Sequence, residues 1–356
     1  MVSNRTCCEK LTGKVEHVSD KRVTISDIAR ESGASPTTVS LVLRDKGGIG
    51  QETRERVLSA AQALGYERKS SKRSGFEDTP TVALLFRAHA PHAQGGANGV
   101  NPFYSWVLTG MEATARTRRL NLLYGTLTVN DDNAVVAMPR HLLDQPLDGI
   151  IVIGTFTDAD LAGLHLPTSC PVVVVDAPGP SRHHDVVTSD NAGGAALATQ
   201  YLIDAGHTRI GLVTRQIALN ANFAARERGY LTTMAANGLA PVIGRVNRWD
   251  VSEALDEIFA QEPGTTAMFC VNDQFALDVF QTLDQRGLRV PDDIALIGFD
   301  NTDHARAMRP GLTTLNVDKV GMGRFAITLL DHRLQWPDGA MTAITLSPTL
   351  VERGSV

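Results

Sequence analysis

The residues of this chain that could take part in covalent or metal chemistry are few and poorly spaced for it. Cys7, Cys8, Cys170 and Cys270 are scattered and outline neither a disulfide framework nor a metal-ligand set. His183 and His184 sit in a Ser-Arg-flanked loop, without a Cys or acidic ligand at metal spacing. No Gly-rich phosphate loop or nucleophile elbow follows an apolar strand, and GGANG at 95–99 reads as the flexible lip of a cleft. Catalysis is therefore not expected, nor is a metal or other cofactor. What remains is reversible binding. Residues 1–75 hold 14 Lys+Arg against 9 Asp+Glu, leaving 20 against 30 for the rest of a chain with net charge −5. A small basic part joined to an acidic body fits a polyanion-binding head on a domain that does something else.

The elements that would position those cations are legible. Thr24 is placed to cap the helix ISDIARES, with Asp27 at the capping-box position and Gly33 as the stop. Ser35 is placed to cap a second helix with Pro36 at its first position, facing Val39, Val42 and Leu43 inward. A third helix opens at Thr53 and presents Val57, Ala60, Ala61 and Leu64. Two helices joined by a tight Gly-containing turn make a helix-turn-helix, whose second helix enters the major groove of DNA. Lys21, Arg22, Arg54, Arg68 and Lys69 are suited to neutralising phosphates, which position such a head without reading sequence.

Length and composition bound the remainder. At roughly 100–200 residues per domain, 356 residues give two or three domains with real cores. No apolar run approaches the roughly 18–20 residues of a membrane span, and no secretory signal is visible at the start. A cytoplasmic protein without a membrane partner is expected. From Thr81, short β-branched runs alternate with helices: TVALLF, PFYSWVLTGMEATARTRR, LNLLYGTL, NAVVAMPRHLLD, DGIIVIG, PVVVVD and a helix from Asn191 to Ala205. A second series follows with RIGLV, FAARERGYLTTMAANG, TAMFCV, DQFALDVFQTLDQRG and IALIGF. Continuous apolar strands alternating with helices predict parallel sheets covered on both faces, here as two doubly wound halves. Ligands of such sheets bind beyond the carboxyl ends of the strands, so the cleft between the halves is the expected site.

The string VTISDIARESGASPTTVSLVLRDKGGIGQETRERVLSAAQALGY resembles the DNA-binding head of the lactose/galactose-repressor family. DNAGGAALATQYLIDAGHTRIGLV, FCVNDQFALDVFQTLDQRGLRVPDDIALIGFDNTDHARAMRPGLTTLNVD and LSPTLVERGS extend the likeness over roughly residues 21 to 353. The resemblance implies an α/β chain with a three-helix helix-turn-helix head and a body like the periplasmic binding proteins. It divides the chain into an extension (1–20), a head (21–66), a hinge linker (67–79) and an effector-binding, dimerising body (80–356). The halves of the body would be 80–207 plus 318–345, and 208–317 plus 346–356, with crossings near His207, Val317 and Leu346.

Carried over residue by residue, the resemblance aims Pro36, Thr37 and Leu41 at base edges and Thr38 and Ser40 at phosphate. Thr24, Ser35, Arg44 and Lys69 complete the DNA-binding set, Arg44 standing in for the Arg that many members have at the Leu41 position. The family's hinge helix, which wedges a Leu into the minor groove, lacks its signature here; Gly75 holds the wedge position, with Phe76 beside it. For the effector, the family positions are Phe103, Tyr104, Arg226, Trp249, Asn272, Asp273 and Asp300. Charged and amide edges around flat aromatics suit a sugar or polyol, although purine-like and acidic ligands use the same positions. The function implied is a ligand-responsive transcriptional regulator, typically a repressor, binding a pseudo-palindromic double-stranded operator as a homodimer. A transport solute-binding protein shares the body's fold but has no such head.

Overall fold

The computed structural model describes residues 25–43, 49–64, 79–89, 102–130, 134–164, 166–167, 170–215, 220–246 and 250–356. These form two compact units, 1–78 and 79–356. In the first, helices α1 (Ile25–Ser32), α2 (Pro36–Leu43) and α3 (Gln51–Ala63) enclose Ile28, Ala29, Val39, Val42, Val57, Ala60 and Ala61. Ser35 does cap α2: its Oγ accepts from the Thr38 amide at 3.0 Å. Gly33 ends α1 with φ +64°. The third helix begins at Gln51 rather than Thr53, because Gly50 serves as its N-cap and Glu52 complements the first-turn dipole.

The body runs β1 (Thr81–His89), α4 (Pro102–Arg118), β2 (Asn121–Val129), β3 (Val135–Ala137), α5 (Arg140–Leu143), β4 (Gly149–Ile153), α6 (Asp158–Ala162), β5 (Val172–Val175) and β6 (Asp185–Ser189). It continues through α7 (Asn191–Asp204), β7 (Ile210–Arg215), α8 (Ala221–Ala236), β8 (Val242–Val246), α9 (Ser252–Gln261), β9 (Ala267–Cys270), α10 (Asp273–Gln285), β10 (Ala295–Asp300), α11 (Asp303–Ala307), β11 (Thr313–Asn316), α12 (Lys319–Gln335), β12 (Ala343–Leu346) and β13 (Thr349–Val351). The seven-stranded sheet has the order β12-β6-β5-β4-β1-β2-β3 and the six-stranded sheet β13-β11-β10-β9-β7-β8. Among the described strands, only the edge strands β3 and β13 run antiparallel. Strand order reverses between β1 and β4 and again between β7 and β9, which opens a crevice at the carboxyl ends of both sheets.

Two expectations are corrected. NAVVAMPRHLLD is not one helix: Val135 and Val136 extend β2's sheet as β3, and Pro139 caps the four-residue α5. The first crossing between halves falls at Asp190, not near His207. Instead of covering the sheet its preceding strand belongs to, α7 packs on α8 and on β9, β10, β11 and β13 of the second half. Small residues permit this: a Cβ on Gly194 would meet the Phe299 ring and Pro348. The chain passes between the sheets again at Val317–Lys319 and Leu346–Thr349, and α12 returns to pack on α4 and on β4, β5 and β6.

Candidate functional site

Asp176 and Asp300 stand where β5 and β10 end, one in each half, both with positive φ (+67° and +108°). Non-glycine residues rarely hold such angles, and they concentrate where a side chain must be aimed. The Tyr104 hydroxyl donates to Asp176 Oδ2 at 2.8 Å, and Asn222 Nδ2 donates to Asp176 Oδ1 at 2.8 Å and to its carbonyl at 3.1 Å. The amide of Asn222 thereby ties the second half to the first. Burial pushes the Asp176 carboxyl up to about 6, with Asp300 adding to the shift and Tyr104, Arg226 and Arg87 opposing it.

Arg226 is buried at 5% exposure and locked in place. Its Nε donates to Asn191 Oδ1 at 2.8 Å and its Nη1 to the Val271 carbonyl, while the guanidinium lies 3.8 Å from the Phe299 ring centre. Nη2 stands 3.2 Å from Asp300 Oδ1 in an ion pair. Lys319 Nζ donates to the Asp300 carbonyl from the other side and sits 5.7 Å from the Phe103 ring centre. Phe103 and Tyr104 pack edge to face at 5.2 Å in the first turn of α4. Burial raises the Asp300 carboxyl against the pull of Arg226 and Lys319, and lowers Lys319 and Arg87. Burial and the Asp176 charge also hold the Tyr104 hydroxyl well above its usual range, so it stays a donor.

Among the described residues, three buried side-chain polar atoms lack a hydrogen-bond partner: Arg87 Nε, Asn222 Oδ1 and Asp300 Oδ1. All three belong to residues of this constellation, Arg87 by its charge interactions with Tyr104 and Asp176. Leaving a buried polar atom with no partner at all costs about 1–3 kcal/mol. Of the three, Asp300 Oδ1 still has its ion pair with Arg226, whereas Arg87 Nε and Asn222 Oδ1 have no such partner.

Of the effector positions named from the sequence, the structure brings Phe103, Tyr104, Arg226 and Asp300 together. Asn272 caps α10, accepting from the Phe275 amide at 2.8 Å. Asp273 departs from its expected role. Its Oδ2 accepts from the Thr302 amide at 2.6 Å and its Oδ1 from Thr314 Oγ1 at 2.6 Å, at 0% exposure. It braces the Asp300 turn from beneath instead of facing a ligand. Trp249, Thr24, Arg44, Lys69, Gly75 and Phe76 lie outside the described residues, as does GGANG. Pro36, Thr37, Thr38, Ser40 and Leu41 all fall on α2, and the Thr38 hydroxyl is 2.8 Å from Ser35 Oγ.

Sequence reading missed Arg87, Asp176 and Asn222. Asp176 ends PVVVVD as Asp300 ends IALIGFD, and Asn222 lies one helical turn before Arg226, so two of the three carried a signal. Among the described residues no helix is long and apolar enough to cross a membrane.

Residues 24–69 match the family described as bacterial regulatory proteins, lacI family, and residues 199–356 the periplasmic binding protein-like domain. The chain is 31% identical to the HTH-type transcriptional repressor PurR of Pasteurella multocida over 94% of its own length and 98% of that protein. It is also 31% identical to the ribose operon repressor of Escherichia coli K12, over 93% and 99%. A solved structure of the transcriptional regulator CelR in complex with cellobiose superposes with a TM-score of 0.65 at 26% identity, covering 94% of this chain and all of that one.

Proposed function

This chain belongs to the lacI family of bacterial regulatory proteins, a DNA-binding transcriptional regulator and not an enzyme, and from that premise we propose that it is a repressor answering to a neutral sugar or polyol. The observation that carries the ligand class is the set of orphaned atoms. Arg87 Nε asks for an acceptor and Asn222 Oδ1 for a donor, while Asp300 Oδ1 has only its ion pair with Arg226. A hydroxyl does both, whereas a carboxylate or phosphate ligand only accepts. Relatives named for ribose and solved with cellobiose point the same way.

On the DNA side, we propose α2 as the reading helix, with Pro36, Thr37 and Leu41 toward base edges, Arg44 in place of the guanine contact missing at Leu41, and Thr24, Ser35, Thr38, Ser40 and Lys69 toward phosphate or at helix ends. One head of three short helices makes too few contacts for a specific site, so the active form is a homodimer on a pseudo-palindrome. The test is a thermal-shift screen of sugars, polyols and nucleobases on the full chain. A ligand at 100 times its dissociation constant adds about 2.7 kcal/mol. Stabilisation by a neutral sugar, lost in Asp300→Asn, is expected; stabilisation by nucleobases alone would overturn the sugar assignment.

A further inference from the structure

Phe103 and Trp106 lie three residues apart on α4 and so share one helix face, a turn apart. Phe103 is 7% exposed and faces Lys319 in the cleft, while Trp106 is 44% exposed. The indole forms one wall of a cavity of about 180 Å³ whose other walls include Asn301, Asp303, Arg306, Asn316 and Lys319. Lys319 belongs to both places, since its Nζ also bonds the Asp300 carbonyl. The cavity therefore abuts the effector constellation and sits on the Val317–Lys319 crossing, with α4 of the first half on one side and α11 of the second on the other.

Its chemistry repeats that of the cleft. Asp303 and Arg306 make no side-chain hydrogen bond or ion pair with described residues, yet the charges of both act on Lys319. An aromatic face beside a free carboxylate and a free guanidinium suits a ring with an apolar face and hydroxyl edges. The volume falls below the roughly 300 Å³ at which pockets for whole drug-sized ligands begin, which makes it room for one ring, not for a complete ligand. We propose that the effector is a disaccharide or glycoside, with one ring between Asp176 and Asp300 and the second against Trp106, its hydroxyls toward Asp303 and Arg306. This rests on the reading of the cleft as a neutral-sugar site. A two-ring ligand so placed holds both halves across the hinge, which a single ring in the inner site does less completely.

Calorimetric titration of the full chain with matched sugars tests it: glucose against cellobiose and maltose, galactose against lactose and melibiose, with ribose added. The expected result is one disaccharide binding roughly tenfold or more tightly than its component monosaccharides. Trp106→Ala, at an exposed position, removes that advantage and leaves monosaccharide affinity within about twofold, and Trp106→Phe restores most of it. Monosaccharides that bind as tightly as every disaccharide overturn the proposal, as does a Trp106→Ala variant that weakens both sizes equally. In either case, monosaccharide binding that Asp300→Asn abolishes leaves the cleft reading standing while the second-ring site falls. A protein that binds no sugar of either size overturns both.

Discussion

Asp176 and Asp300 do corresponding work in the two halves, each aimed by a positive φ at the end of an apolar strand. Only Asp300 was named from the sequence, through its family position; Asp176 had the same strand-end signal but no family position to single it out. Which strand ends reach the crevice depends on strand order, a property of long-range pairing that local residues do not record. Arg87 carried no usable signal, since a lone charge in TVALLFRAH reads equally well as a strand edge turned to solvent. Asp300→Asn keeps the shape and removes the charge. The variant is expected to fold and bind operator, with effector affinity weakened by roughly tenfold or more, from the about 1.5–3 kcal/mol of a charge-assisted bond. A response curve matching the parent's would leave Asp300 a structural role alone. Arg226→Ala is a poorer probe, because stripping a buried carboxylate of its counterion costs about 3–5 kcal/mol and threatens the fold. Asp273 offers a separate test through pH. Burial, helped by the Asp300 charge, pushes its carboxyl from 3.8 to about 7 in the folded protein. Between those values the folded state holds more protons than the unfolded chain, so this group makes stability fall as pH rises from about 4 to about 7. Asp176, raised to about 6, acts with the same sign. The melting temperature of the parent should decline across that window more steeply than that of Asp273→Asn; parallel profiles would contradict the assignment.

At the scale of elements, most of the body was legible because buried parallel strands read as unbroken apolar runs; Gly149–Ile153, for instance, is buried throughout. The head was legible for a different reason, its caps and turns being local chemistry. The misplaced crossing shows where such reading stops. Nothing within DNAGGAALATQYLIDAG says which sheet the helix covers, because its packing is decided by partners far along the chain. The glycines hold the clue only in retrospect. A Cβ on Gly229 of α8 would meet the Ala192 carbonyl oxygen of α7 and lie 2.9 Å from Ala195 Cβ. Gly229→Ala must therefore push the two helices apart. A loss of about 1–3 kcal/mol is expected in denaturant unfolding, with the slope unchanged. Gly163→Ala serves as the control. Its φ is −69° and a Cβ there would meet nothing nearer than 3.4 Å, so it should be neutral or stabilising by up to about 1 kcal/mol. Equal losses in the two variants would mean that glycine removal itself, and not α7–α8 contact, sets the effect.

For the whole molecule, the chain joins a basic N-terminal part to an acidic body whose two halves are linked by three crossings. A ligand held by Asp176 of one half and Asp300 of the other binds best in one relative arrangement of the halves. It alters operator affinity only by the difference in its affinity for the arrangements that favour and disfavour DNA. That requirement yields a prediction independent of whether the effector releases the protein or recruits it. If saturating effector changes operator affinity by some factor, typically about 5–150-fold, saturating operator must change effector affinity by the same factor. Anisotropy titrations of labelled operator with and without effector give the first factor, and calorimetry of the effector with and without operator gives the second. Equality at protein concentrations well above dimer dissociation is expected. Should the two factors agree there but diverge on dilution, the effector is also acting on assembly of the proposed homodimer. Disagreement at every concentration would mean that a further ligand or proton is exchanged in one of the two reactions. The raised Asp176 and Asp273 carboxyls are the groups to examine then, by repeating both titrations at pH 6 and pH 8, below and above the about 7 of Asp273.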